Sequence, residues 1–251
     1  MITTRTKDGI ATITLSDCRL LTRCDVQEGR ALADALQTAG DDDGVRAIVL
    51  LAQGRDFCPP VRPVRSQQAS LPDIQSAYAG VTGVYQSLAY GRKVVVMGIQ
   101  GRCTGAGSAL ALCADFVVMG SSARIQSPFS SVPEASFTLA ALIMRLNRAK
   151  GWILSDEPMS ALQAEAAGLA NRVVPEGRLR REALGMARSA ARMPLDGIAI
   201  SRVMLETYLD SQGVGKEFDH APFYRNALPQ AGLPVEGRVS AKQSQPARGR
   251  K

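Results

Sequence analysis

The run from Val94 to Met119 constrains the fold most. Val94, Val95, Val96, Met97, Gly98 and Ile99 make an apolar, β-branched stretch of strand length. Gly101, Gly105 and Gly107 punctuate the next dozen or so residues, and Ala106 to Cys113 is an Ala/Leu segment of high helix propensity. Phe116, Val117, Val118 and Met119 are apolar again and read as a further strand. A strand that feeds a glycine-rich turn and then a helix aims unpaired backbone N–H groups at whatever sits above the turn. Such groups suit a phosphate, a carboxylate or a developing oxyanion.

Several familiar turns are excluded by spacing. A dinucleotide-binding turn needs Gly-x-Gly-x-x-Gly, and Gly105-Ala106-Gly107 is followed by Leu110 where the last glycine should stand. A phosphate loop needs Gly-Lys-Ser/Thr, which is missing. A nucleophile elbow needs a second glycine after Ser108, and Leu110 is there instead. From this stretch alone two readings stay open: an anion-facing turn, or small residues that let a helix pack tightly on a sheet.

The stretch resembles the second signature of the crotonase (enoyl-CoA hydratase/isomerase) superfamily, roughly Asn-Gly-x-Ala-x-Gly-Gly-Gly-x-x-Leu-Ala-x-x-x-Asp. Gly101, Gly105, Gly107, Leu110, Ala111 and Asp115 match in register, with Gln100 for the Asn, Cys103 for the first Ala and Ala106 for the middle Gly. The resemblance implies that the Ala106 N–H is one half of an oxyanion hole for an acyl-CoA thioester. A backbone N–H survives the change of side chain.

The rest of the chain extends the likeness from about Gly9 to Gly249. Ile10 to Leu15 alternates and reads as a half-buried strand. Ser16 to Arg23 occupies the place of the family's Asn-Arg-Pro-x-x-x-Asn-Ala loop, with the right length but different residues. Val26 to Thr38 is an amphipathic helix with Asp25 as N-cap, Asp41-Asp42-Asp43 a solvated turn, and Val45 to Leu51 a buried strand. Gly54, Phe57 and Cys58 match the first signature, Gly-x-x-Phe-Cys-Ala-Gly-Ala-Asp-Leu, while Pro59 and Pro60 replace Ala-Gly and Arg62 replaces Asp. The resemblance assigns the second oxyanion N–H to Val61. Pro60, locked near φ −65°, cannot copy every glycine conformation. Arg62 to Pro72 reads as a loop and Ile74 to Tyr90 as a helix weakened by Gly80 and Gly83. Tyr78, Val81, Val84, Tyr85 and Leu88 suit either an acyl pocket or ordinary core. Phe137 to Leu146 is an apolar helix. Ala149 to Pro175 follows the family's pattern closely as helix, turn, helix and short strand; Leu179 to Met193 and Ile198 to Tyr208 are further helices, and 236–246 resembles a weakened last helix.

The two hydratase carboxylates of the family fall at Ala109 and Phe129, and neither is acidic. Hydration needs a base to activate water and an acid to protonate the α-carbon, which a carboxylate pair supplies. Pro133-Glu134-Ala135 with Ser136 resembles instead the Δ3,Δ2-enoyl-CoA isomerase branch, as does Pro128-Phe129. There a single glutamate moves a proton from C2 to C4. Glu134 is the implied shuttle, set about three residues closer to Pro128 than the family places it. A first-turn glutamate favoured by a helix dipole is the alternative for the same residue.

Composition sets outer bounds. The chain has 251 residues, 45% of them hydrophobic, and no apolar run of membrane-span length. Five cysteines without a Cys-x-x-Cys pair, and His220 as the one histidine, argue against zinc and for free thiols. No signal-like pattern follows Met1, so a cytoplasmic location is expected. The net charge of +7 suits a polyanionic ligand such as coenzyme A, or a solvated basic face.

Together these readings predict an α/β crotonase-type ββα superhelix, a spiral core over 1–175, and a helical C-terminal trimerisation region with a basic tail over 176–251. The resemblance implies an acyl-CoA enzyme, with double-bond isomerisation expected: Glu134 catalytic, Val61 and Ala106 forming the oxyanion hole, and Leu21, Pro59, Arg65, Gly105 and Arg202 around the CoA and acyl groups. No metal and no cofactor beyond the substrate's own coenzyme A is expected. A homotrimer or hexamer is implied, without membrane or nucleic-acid partners. A non-catalytic acyl-CoA-binding homologue is the alternative.

Overall fold

In the computed structural model, which describes residues 2–22, 25–61, 83–129, 132, 135–155 and 157–220, the chain opens with a hairpin. β1 (Ile2–Lys7) turns through Asp8 and Gly9 into β2 (Ile10–Leu15), antiparallel to it. A short α1 (Arg19–Thr22) and α2 (Val26–Asp41) lead to β3 (Ala47–Ala52). Helical residues 83–89 precede β4 (Val94–Ile99), β5 (Arg102–Cys103), α3 (Ala106–Cys113), β6 (Phe116–Gly120) and β7 (Arg124–Ile125). Then come α4 (Phe137–Ile143), α5 (Leu146–Ser155), β8 (Met159–Ser160), α6 (Ala161–Ala167) and β9 (Arg172–Val174). A 3-10 turn (Glu176–Arg178) opens α7 (Leu179–Ala191), and α8 (Leu195–Ser211) is followed by helical residues 214–220.

The strands form two sheets. The larger runs β1-β2-β3-β4-β6-β9, parallel from β2 onward, and the smaller runs β5-β7-β8. Parallel strands joined by helical crossovers bury both faces, so they read as continuous apolar runs. β3, Ala-Ile-Val-Leu-Leu-Ala, is buried throughout except at its last residue. The alternation in β2 predicts a half-buried strand, yet Thr12 is only 8% exposed. Ile10 and Thr12 share the face that packs on α7, so Thr12 is covered, while Thr14 stays half-buried.

One face of the large sheet packs Ile13, Ile48, Leu50 and Met97 against Leu32 and Leu36 of α2 and Leu110 and Leu112 of α3. On the other face Val49, Leu51, Val96 and Val118 meet Leu179, Ala183 and Ala187 of α7. The boundary expected after Pro175 therefore falls just before a helix that packs directly on the sheet. α2 starts where expected, with the Asp25 carboxylate accepting the Glu28 N–H at 2.9 Å.

The single helix expected over 137–146 is two helices. Met144, in extended backbone at φ −108° and ψ 155°, separates α4 from α5 and turns its side chain into the core. Burial of that side chain outweighs helix continuity, which contributes little per residue. The readings for 62–82 and for the tail past 220, including 236–246, lie outside the described residues.

Candidate functional site

The site is built where β4 leaves the large sheet and enters the small one. Gln100 anchors the departure, its side-chain amide donating to Ala52 O at 2.8 Å and Gly54 O at 3.3 Å. Alongside, Phe57 N donates to Gln100 O (2.8 Å), Cys58 N to Arg102 O (3.0 Å) and Thr104 N to Cys58 O (2.9 Å). Cys58 and Cys103 thus pair as a parallel bridge. This ladder brings the segment leading to Val61 beside the turn leading to Ala106. The Asp56 carboxylate closes the outer edge, accepting the Arg102 N–H at 2.9 Å and its guanidinium at 2.7 Å. Hydrogen bonding to that guanidinium holds the Asp56 carboxyl below its usual range.

Two glycines make the turn possible. Gly105, the N-cap of α3, adopts φ 52° and ψ −125°, a backbone that residues with a Cβ rarely reach. Gly107 lies so close to the neighbouring segment that a Cβ there would sit 2.5 Å from Cys58 Cβ and 3.1 Å from Cys103 Sγ. Small residues therefore do serve packing here, and in doing so they bring Cys58 against the first turn of α3. The N–H groups of Gly107, Ser108 and Ala109 return to Thr104 O and Gly105 O within the turn.

The Ala106 N–H points out of the turn, and it is occupied. It donates to Thr22 Oγ1 at 3.1 Å. Thr22 Oγ1 also lies 3.7 Å from Cys58 Sγ. The Thr22 oxygen accepts from Ala106, and across the contact to Cys58 Sγ either the hydroxyl or the thiol can be the donor. Cys58 thus gathers donors. The Cys18 thiol, the Gly107 N–H and the Thr22 hydroxyl hold it below the ordinary thiol range against the opposing effect of burial. Burial pushes the Cys18 and Cys103 thiols the other way. Cys18, Cys58, Cys103 and Cys113 are free and buried, and among the described residues no group of His, Cys, Asp and Glu is arranged to hold a metal ion.

The other expected residues distribute unevenly. Leu21 is buried in the same core cluster as Ala106 and Cys58. Pro59 and Val61 are half-buried, and Gly105 is buried. Glu134 and Arg65 lie outside the described residues. Ala109 is 1% exposed within the core, and Phe129 stacks on Phe137 with ring centroids 3.9 Å apart. Both side chains serve packing.

Arg202, expected around the CoA and acyl groups, is engaged within the fold. Its Nη1 donates to both carboxylate oxygens of Asp115 at 2.8 Å, and the residue is 8% exposed. Asp115 also accepts the Val95 N–H at 2.8 Å. The pair locks α8 to the loop between α3 and β6 and to the start of β4.

Sequence reasoning missed Thr22 and Gln100 as contacts. Their signal was positional: Thr22 stands where the resembling loop has its Asn, and Gln100 where the second signature has its own. Both are polar side chains at junctions, but which backbone atoms they meet depends on chain segments far away in sequence.

On the outer side of the same segments, next to α7, a cleft of about 630 Å³ is lined by Arg55, Asp56, Arg102, Arg124, Glu176 and Arg180 among others. Asp56 is taken by Arg102, and Glu176 accepts from the Ser122 N–H and hydroxyl. No helix among the described residues is long and apolar enough to cross a membrane.

A family model described as "Enoyl-CoA hydratase/isomerase" matches residues 5–218. The chain is 28% identical over 216 residues to the protein of Rhizobium meliloti named "Probable enoyl-CoA hydratase", covering 82% of this chain and 80% of that one. It is 28% identical over 214 residues to the 1,2-epoxyphenylacetyl-CoA isomerase of Escherichia coli, covering 79% of each. Among solved structures, the enoyl-CoA hydratase of Bacillus halodurans superimposes with a TM-score of 0.77 at 16% identity, covering 88% of this chain and 92% of that one. An enoyl-CoA hydratase/isomerase of Xanthobacter autotrophicus Py2 gives 0.73 at 21% identity, with 93% and 89% covered. At these identities the solved structures speak to the fold alone.

Proposed function

The chain belongs to the enoyl-CoA hydratase/isomerase family and has its crotonase fold, and from that membership we propose that it isomerises the double bond of an enoyl-CoA thioester. One observation carries the reading: the Ala106 N–H at the start of α3 points out of its turn, and the hydrogen-bonded ladder through Cys58 and Thr104 runs Val61's segment beside it. Val61 and Ala106 are the proposed oxyanion hole. Donors aimed at a developing enolate oxygen lower barriers by about 3 kcal/mol each in other acyl-transfer sites. Glu134 is the proposed base: it takes a proton from C2, the enolate charge rests on the thioester oxygen, and the same proton returns at C4. A single carboxylate suffices because the proton removed is the proton delivered. Hydration needs a second acid, and Ala109 and Phe129 supply none.

The likeness to an enzyme named as a CoA-ester isomerase supports this reading. The apolar face of α8 supports the trimerisation proposal for the C-terminal region. Ile200, Val203, Met204, Leu205 and Tyr208 are each between 51 and 65% exposed, a surface that another subunit would cover. Light scattering should give a multiple of three chains, and the mass of a single chain would remove that part.

A second reading, acyl-CoA binding without chemistry, is favoured by Ala109, Phe129 and the engaged Ala106 N–H. The experiment that separates the two incubates the protein with matched 2-enoyl-CoA and 3-enoyl-CoA and follows double-bond shift and hydration separately. Shift without hydration, lost in Glu134→Gln with the fold retained, is the expected result. A full rate in Glu134→Gln removes that residue from the mechanism. Binding with no turnover leaves the non-catalytic reading.

A further inference from the structure

The Ala106 N–H is not vacant in the free protein, because the Thr22 hydroxyl oxygen sits on it at 3.1 Å. Resting on the acyl-CoA reading above, we propose that Thr22 is a built-in stand-in for the thioester oxygen and that a substrate carbonyl must displace it to enter the oxyanion hole. Three features fit Thr22 for this role. Its oxygen is an acceptor of the same kind as a carbonyl, on the donor that the carbonyl would use. Its hydroxyl has a second polar partner in Cys58 Sγ, 3.7 Å away, which helps hold the side chain over Ala106. Last, Thr22 ends the short α1, while Leu21 beside it is anchored in the core, so rotation about one side-chain bond is enough to release the N–H.

The consequence is a cost to entry. A neutral thioester carbonyl that replaces Thr22 exchanges one neutral hydrogen bond for another and gains little. An enolate oxygen forms a charge-assisted bond, roughly twice as strong. The displaced Thr22 bond is lost in both complexes, so Thr22 weakens binding of substrate and intermediate alike and leaves the step between them unchanged. Thr22 acts as a positioning residue: it holds the donor aligned in the free protein and yields it to the ligand's oxygen.

The test uses the full chain and two ligands, butyryl-CoA and its S-butyl thioether analogue, which lacks the carbonyl oxygen. Calorimetry on the wild type, Thr22→Val and Thr22→Ser reads the ratio of the two affinities. Removing the hydroxyl leaves the Ala106 N–H unpaired in the free protein, so Thr22→Val should bind butyryl-CoA about three- to tenfold more tightly, the worth of one net hydrogen bond. Its affinity for the thioether should not change, and Thr22→Ser, which keeps the hydroxyl, should retain the wild-type ratio. Thr22→Ala serves the same purpose if the valine variant does not fold. An unchanged ratio in Thr22→Val, or an equal gain on both ligands, overturns the role of Thr22 while leaving the acyl-CoA reading standing. Failure of every variant and the wild type to bind either compound overturns the acyl-CoA reading and this role with it.

Discussion

The two ends of the candidate site are made of different material. At the amide end the groups that matter belong to the backbone. Ala106 stands where the family pattern has glycine, and its N–H still emerges from the first turn of α3, because Gly105 sets the turn and the Cys58–Cys103 ladder holds it. At the acid end the groups belong to side chains. Ala109 has entered the core and Phe129 stacks on Phe137. Backbone chemistry is a property of the fold and tolerates substitution. Side-chain chemistry disappears with the side chain, and its space is taken over by packing.

The largest expected effect comes from forcing the acid end back. Ala109→Glu would place a carboxylate at a position 1% exposed in an apolar cluster. An uncompensated buried charge costs about 3 kcal/mol or more. Burial raises the folded-state pKa of such a carboxyl above its unfolded value near 4.3. Below the unfolded pKa the group is neutral in both states and the charge penalty is absent. The penalty therefore grows as pH rises from that point toward the raised folded pKa. Urea midpoints for the variant should fall further behind the wild type at pH 7 than at pH 4. A deficit independent of pH would mean that the new carboxylate reaches water, and the acid end would then be more open than its packing indicates.

A smaller effect is expected from crowding the amide end. In Gly107→Ala the new Cβ would start 2.5 Å from Cys58 Cβ, so the ladder or the helix must shift. Overpacking of this kind costs about 1–3 kcal/mol. Because the shift falls on the turn that aims the Ala106 N–H, butyryl-CoA affinity should drop along with stability. Loss of stability with affinity intact would separate the packing of α3 from the alignment of its first amide.

The smallest effect belongs to the rim. The Arg102 guanidinium lowers the Asp56 carboxyl in the folded state, so the interaction contributes stability above the unfolded carboxyl pKa and loses it as pH falls through the folded value. Asp56→Asn should cost little at pH 7, and its deficit should shrink further below pH 4. Arg102 is exposed and screened, so a large cost would show that the backbone contact to the Arg102 N–H, rather than the ion pair, holds the edge.

Much of the fold was legible in the order of residues. The β4–turn–α3–β6 unit and α2 with its Asp25 cap lie where apolar period, glycine and capping residues put them, and the helix, turn, helix and strand from Ala149 to Pro175 lie where the family resemblance put them. The burial of β2 on both faces was not legible, because alternation reports side-chain polarity and not a strand's neighbours. Nor was the break at Met144, where a core contact made across the chain outweighs local helix preference. In the site, the residue order placed Ala106 at the start of a helix after a glycine turn, which is where it stands.

Sequence alone determined which groups this chain owns: backbone amides at the start of a helix after a glycine turn, no acidic side chain at positions 109 and 129, and apolar runs long enough for a buried parallel sheet. Only the tertiary structure decided which group meets which. Thr22 reaches an amide 84 positions away, Gln100 ties the end of β4 to the end of β3, and Arg202 pairs with Asp115. Hydrogen bonds and ion pairs extend over about 3 Å, so their partners are set by how distant segments pack, a quantity that no local pattern of residues records.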